Sequence, residues 1–367
     1  MIHSILSRQN HRQQALIYCG IYLFPVLTVL GFYGGGLWIY ASVIAGYVLV
    51  PLADLIFGTS DANLDADKEK LAAKTGLFRF VTFAIAPVIV AVVLWGSWVA
   101  SLYELAWYEY LGLVLSVALV SGGIGLTVAH EQCHKVNNPL DMFLARLTLM
   151  CTCYMHFTIE HVYGHHARVA TAEDPATARL GQSLYAFYFQ SVFGGYKSAW
   201  ELETTRLRKR RLGFWSLHNQ MLWYTAVPLA FMGLVTALFG VSGLIFFILQ
   251  AIVGFSYLEV INYVEHYGLE RRRTAKGNFE KVKAFHSWNS DHVVSNYLLF
   301  GLPRHSDHHA HAARPYQILR SLPGSPQLPF GYTLMMPIAF VPVLWRRIMD
   351  HRVVAARAVM NQVPLQE

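Results

Sequence analysis

The sequence predicts an all-α integral membrane bundle of six transmembrane helices, with a cytoplasmic helical cap that carries a histidine-rich dimetal site. Three observations predict it. The 367-residue chain is 54% hydrophobic and only 14% charged, too little charge to cover a soluble domain of that size. Its apolar residues come in six blocks, each close to the ~20 residues a helix needs to cross the hydrocarbon core. Many of its 17 histidines stand in four tight groups that follow those blocks.

The spans are expected near 15–33, 37–57, 77–100, 108–129, 221–240 and 243–264. The first follows Arg8 and Arg12, as a signal peptide would. It is longer than a signal h-region, lacks a small-x-small cleavage site and runs at once into a second span, so it reads as a retained helix. Six spans leave 1–14, 58–79, 130–220 and 265–367 on one side. These segments hold 2, 4, 10 and 13 Lys and Arg, which is all 29 in the chain. The opposite side receives "YGGG", "SLYELAW" and "GVSG", with none. The positive-inside rule then puts both termini and the long segments in the cytoplasm, in a membrane of the bacterial inner (plasma) type. The net charge of +7 is thereby a topological signal and calls for no nucleic-acid partner. The run "RLRKRR" (206–211) still has the charge to meet lipid headgroups or an acidic protein. Cys19, Cys133, Cys151 and Cys153 form no C-x-x-C pair, which fits a reducing face. The proline-broken 326–345 stretch reads as interfacial or re-entrant. The whole of 1–367 reads as a single membrane-embedded catalytic domain.

The histidine groups are "HEQCHK" (130–135), "EHVYGHH" (160–166), "NYVEHYG" (262–268) and "RHSDHHAH" (304–311). All fall on the cytoplasmic side, two of them at helix exits. His130 and His134 are i,i+4 and share a helix face, and His161 and His165 repeat that spacing with His166 adjacent. His305, His308 and His309 are i, i+3 and i+4, after Pro303. With His266 these make nine imidazoles, too many for one ion and suited to two. Glu131, Glu160, Glu265 and Asp307 are placed to accept second ring N–H groups, and His292 reads as a supporting residue. "HExxH" alone is also the zinc-protease signature, with Glu131 as the base; seven further clustered histidines argue against that reading. A transporter would spread its ligands through the membrane interior, whereas these lie at one face.

"EHVYGHHARVATAEDPATARLG", "WSLHN", "NYVEHYGL", "SWNSDHVVSN" and "RHSDHHA" resemble the motifs of the integral-membrane alkane 1-monooxygenases, in the superfamily of membrane fatty-acid desaturases and xylene-type hydroxylases. The resemblance runs from about the second span to "MDHRVV" (349–354). It implies six transmembrane helices and two irons held by nine histidines, here His130, His134, His161, His165, His166, His266, His305, His308 and His309. It also implies O2 and n-alkane substrates, and electrons from rubredoxin with a rubredoxin reductase upstream. Val162, Tyr163 and Pro303 depart from common family residues without removing a ligand. A related hydroxylase or desaturase acting on fatty acyl chains or alkylbenzenes is the alternative.

Two further expectations concern substrate and partner. In the second span Ala41, Ala45 and Gly46 put small residues on one helix side, either for close packing or to line an alkane tunnel at Ala45 and Gly46. Arg208, Lys209 and Arg210 are either a dock for acidic rubredoxin or a solvated, topology-setting stretch.

Overall fold

The computed structural model describes residues 11–365, so Arg8 lies outside the described part. Among these residues there is no strand, only helices and isolated bridges. Five helices are long and apolar enough to cross a membrane: α1 (Arg12–Gly34), α2 (Gly36–Phe57), α4 (Gly76–Leu102), α5 (Trp107–Cys133) and α8 (Gln220–His266). Between and after them come α3 (Ala66–Lys74), α6 (Pro139–Met150), α7 (Leu184–Lys209), α9 (Val293–Leu298), α10 (His305–Ala310), α11 (Tyr332–Ala339) and α12 (Pro342–Gln362).

The last two expected spans both fall in α8. A straight helix of its 47 residues would be about 70 Å long, more than twice the hydrocarbon thickness. It is not straight. Gly240 is non-helical, with φ 66° and ψ −168°, a conformation that suits a residue without Cβ. Phe231 and Phe247 then meet edge to face with ring centroids 5.5 Å apart, where a straight helix would separate them by about 24 Å. The chain turns back at Gly240, and α8 is a helical hairpin.

The central strut is α5, the most buried of the five. It meets the second arm of α8 backbone to backbone, because a Cβ on Gly122 would overlap the Gly254 carbonyl. Ser121 donates to Gln250 (2.8 Å), and Gln250 donates to the Cys151 carbonyl (2.8 Å). A π-turn at Leu119–Ile124 lies at this crossing. Gly46 of α2 faces the same region. A Cβ there would come 3.3 Å from Leu119 and 3.5 Å from Phe24, and Ala45 beside it is buried.

The segments after α8 are tied to the bundle by a buried carboxylate. Asp54, near the end of α2, accepts the backbone N–H of Val294 and Ser295, both at 3.0 Å, and the Ser295 hydroxyl. It caps α9 from across the chain, which a six-residue helix with no cap of its own requires.

Replacing Gly122 by Leu forces α5 and α8 apart, an overpacking cost of about 1–3 kcal/mol. Thermal unfolding of the detergent-solubilised protein should show a lowered midpoint. Gly233→Leu, where a Cβ meets nothing, serves as control and should leave the midpoint unchanged.

Candidate metal centre

The ends of α5 and α8, the turns at 157–168 and the short helix α10 converge at one end of the bundle. They gather nine histidines into two groups. His130, His134, His161, His166 and His308 form one; His165, His266, His305 and His309 form the other. Within each group one nitrogen per ring lies within 4.8 Å of all the rest. The groups share a wall, with the His166 and His309 rings 4.4 Å apart.

The local geometry explains the division, which differs in one respect from i,i+4 spacing. His130 and His134 share a face of α5, as that spacing implies. His161 and His165 also stack, with ring centroids 5.3 Å apart, yet they belong to different groups. Glu160–His165 is a π-turn, whose longer i→i+5 repeat pairs His161 with His166 and sends His165 to the other group. Helix α10 divides as an α-helix should: His305 and His309 lie one above the other, while His308 turns toward the five-histidine group.

The donor atoms suit metal ions. His134, His161, His166 and His308 are linked through Nε2 pairs 3.0–3.1 Å apart, and so are His266, His305 and His309. Nitrogens bound ~2.1 Å from an ion stand about 3.0 Å apart at right-angle positions, and about 3.4 Å apart in a tetrahedron. The Nε2 atoms of His130 and His165 are buried and have no hydrogen-bond partner. Burial pushes the His134 imidazole down to about 3, with help from the charges of His165 and Lys135. Burial and neighbouring rings hold His161, His166, His305, His308 and His309 well below their ordinary value. These rings are neutral at physiological pH, as ligation requires.

The surrounding carboxylates take several roles. Glu265 comes closest: its Oε2 is 3.2 Å from His305 Nε2, the nitrogen that also faces His266 and His309. It therefore points into the four-histidine group and not at a second ring nitrogen. Glu160 accepts from Arg168 (3.1 Å) and Ser198 (3.2 Å), pinning the π-turn to α7. Gly164 leaves room for this pair, since a Cβ there would lie 2.6 Å from both Arg168 and Glu160. Glu131 pairs with Lys135 at 2.9 Å and touches no imidazole of the groups. Asp307 is fully buried and accepts from Arg320, Arg314 and His311. His292 bonds Ser290 at 2.9 Å, away from both groups.

Among the described residues, the carboxylate on the second ring nitrogen of one of the nine is Asp174, which sequence reasoning did not single out. Its Oδ2 lies 2.9 Å from His165 Nδ1. Thr177 and the Ala176 N–H fix it in turn. Burial opposes its charge, but His165 and Thr177 hold its carboxyl below the ordinary range. Asn289 was also missed. It accepts the Ser306 N–H at 2.9 Å and donates to the Ser306 hydroxyl at 2.6 Å. Ser306 and Asp307 thus clamp α10 to the scaffold, while the flanking His305, His308 and His309 face the groups. Both Asp174 and Asn289 lie in the quoted motif stretches "EDPATARLG" and "SWNSD", the available sequence signal.

A small cavity of about 20 Å³ between α5 and α8 adjoins this site, where Gly123, Leu126, Leu258 and Ile261 line it together with His130, His161, His305 and Glu265. The sequence-selected basic run lies elsewhere: Arg208, Lys209 and Arg210 are exposed at the far end of α7, about 15 Å along the helix from Ser198 by helical rise.

Residues 105–339 match the family described as "Fatty acid desaturase". Alkane 1-monooxygenase 1 of Pseudomonas aeruginosa is 41% identical over 319 residues, 86% of this chain and 83% of that protein. Alkane 1-monooxygenase 1 of Alcanivorax borkumensis is 38% identical over 350 residues, 94% and 86% of the two chains. The xylene/toluene monooxygenase hydroxylase component XylM of Pseudomonas putida is 27% identical over 332 residues, 88% and 85% of the two.

If each group holds an ion, His309→Ala should strip metal from the four-histidine group and leave the other loaded, and His134→Ala should do the reverse. Asp174→Asn should weaken metal binding about 10–100-fold, through His165 alone. Metal analysis of the purified variants after graded chelation checks both. Full retention of metal in a histidine variant would remove that residue from the ligand set.

Proposed function

This chain belongs to the fatty acid desaturase family, and on that premise we propose that it hydroxylates the terminal carbon of medium-to-long n-alkanes to 1-alkanols. The observation that carries the reading is the pair of histidine groups where the apolar spanning helices α5 and α8 end, beside a small cavity lined by Leu126, Leu258 and Ile261. Two irons, one in each group, would be the cofactor. When bound, they supply the O2 activation that an unactivated C–H bond requires and side chains cannot provide.

The chain's own residues supply the rest. Leu126, Leu258 and Ile261 offer apolar surface to a substrate with no polar handle, at ~0.8 kcal/mol per buried CH₂. The Gly122–Gly254 crossing keeps the two cavity walls close. Neutral imidazoles ligate without adding anions to a low-dielectric site. Glu265 presents Oε2 beside His305 Nε2, where it can hold a proton close to the reacting end of the chain. His130 and His134 belong to a five-histidine group and Glu131 is engaged with Lys135, so the zinc-protease reading of "HExxH" has no free base. Relatives named for alkanes are 36–41% identical, against 27% for XylM, which favours alkanes over alkylbenzenes.

The α8 hairpin supports six membrane crossings, with α1, α2, α4 and α5 as the other four. The distribution of Lys and Arg supports cytoplasmic termini, a cytoplasmic site and an inner-membrane location. Electrons would come from rubredoxin, reduced by its reductase. Ala45 and Gly46 would form part of the tunnel wall behind Leu119.

Gas chromatography of products across a graded alkane series tests the substrate. Terminal alcohols from medium-to-long alkanes are expected, and desaturated acyl products with no alcohol would overturn the reading. In the same assay Gly46→Trp should shift the preference to shorter chains, while a uniform loss on all chains would assign Gly46 to packing alone. Glu265→Gln should cut turnover about 10²–10⁴-fold with metal content retained.

A further inference from the structure

We propose that a groove between α6 and the start of α8 binds one anionic phospholipid, with an acyl chain along its floor and the phosphate on Arg146. The groove has a volume of about 330 Å³ and is lined by Phe143, Leu147, Met150, Trp223 and Val227, with Arg146 and Gln220 at its polar end. That volume is at the lower end of the roughly 300–1,000 Å³ of ligand sites.

The charge of Arg146 has no protein counterpart. Among the described residues it forms no ion pair; it makes a long hydrogen bond to Gln220 (3.5 Å) and lies against the neutral Tyr224 side chain, 5.6 Å from the ring centroid. Its Nε is buried and unpartnered. The nearby carboxylate that might have served is engaged: Glu203 accepts from Arg206 at 2.6 and 2.7 Å and from the Gln220 N–H at 2.7 Å. A cation at the edge of an apolar groove is costly unless an anion meets it. A ligand that satisfies both halves of this site carries a negative head and a hydrocarbon tail.

The surroundings fit a lipid and not a folded protein. The outer face of α6 shows Leu140 and Phe143, both at least half exposed, and Trp223 flanks the groove. The neighbouring loop shows Trp215 at 81% and Leu217 at 78% exposure. Tryptophans at this level belong to the headgroup zone of a bilayer. Arg208, Lys209, Arg210 and Arg211 precede them, are exposed and form no ion pair among the described residues. Together they add a positive potential that favours anionic over zwitterionic headgroups. The loop is joined to the groove through the Glu203–Gln220 bond and a bond from Trp223 Nε1 to the Leu217 carbonyl (2.9 Å).

Native mass spectrometry of the detergent-solubilised full chain, titrated with phosphatidylglycerol or phosphatidylcholine, tests the site. One tightly held phosphatidylglycerol is expected, with phosphatidylcholine much weaker. Arg146→Gln should weaken phosphatidylglycerol binding at least about tenfold. Leu147→Trp, which fills the groove and keeps the charge, should weaken it as well. Both should retain bound metal, so the result stands apart from the proposed hydroxylation. Unchanged phosphatidylglycerol binding in both variants would overturn the proposal. Replacing residues 208–211 by Gln should lower phosphatidylglycerol affinity. If it instead raises only the rubredoxin concentration needed for turnover, with lipid binding intact, the loop is a protein dock and its assigned part in lipid binding falls.

Discussion

Nine imidazoles are packed in two groups with one nitrogen of each ring close to those of its neighbours. Without an ion each close Nε2 pair needs one ring in the Nε2–H tautomer, and the Nε2 atoms of His130 and His165 are buried with no partner at all, which is expensive. Metal ions held by the two groups would resolve that conflict, and much of the fold can be read as scaffolding that keeps it from relaxing in any other way. Helix α10 shows this most clearly. It is too short to persist alone, yet it carries three of the nine rings. Asn289 grips it at Ser306, and Arg320 and Arg314 grip it at Asp307.

The same logic accounts for the departures from regular helix. A purely α-helical 160–166 segment would place His161 and His165 on one face. The π-turn keeps those rings stacked but brings His166 onto His161 and leaves the His165 donor to the other group, so one short segment serves both, and the Glu160–Arg168–Ser198 contacts hold the turn to α7. A second π-turn in α5 lies about two to three turns before His130, where α5 crosses α8 through Gly122 and Gly254. The helix that presents the first histidines is thus shaped at the point where the cavity begins. Bundle packing and site geometry are two aspects of one arrangement.

Much of this was legible in the sequence. Apolar block length gave the spanning helices, because the bilayer imposes a length that composition must obey. The nine histidines announced themselves by number and by their position after apolar blocks. What spacing could not convey was the division into five and four, since it depends on a π-turn that i,i+4 arithmetic does not anticipate. The roles of the acidic residues were also hidden. Adjacency to a histidine suggested Glu131 and Asp307 as its partners, but side chains next to each other in a helix point apart; Glu131 serves Lys135, and Asp307 serves Arg314, Arg320 and His311, outside the nine. Asp174, nine residues from the ring it touches, and Asp54, which caps a helix some 240 positions away, are products of tertiary folding. The GVSG turn was seen as a loop, whereas a single left-handed glycine suffices to reverse α8.

The central claim is that the two histidine groups are two iron sites. Iron quantification of the purified, iron-reconstituted protein, with Mössbauer spectra of the reduced form, tests it most directly. The account predicts two irons per chain in two nitrogen-rich environments, one for each group. A single bound ion per fully active chain, or zinc in place of iron, would contradict it.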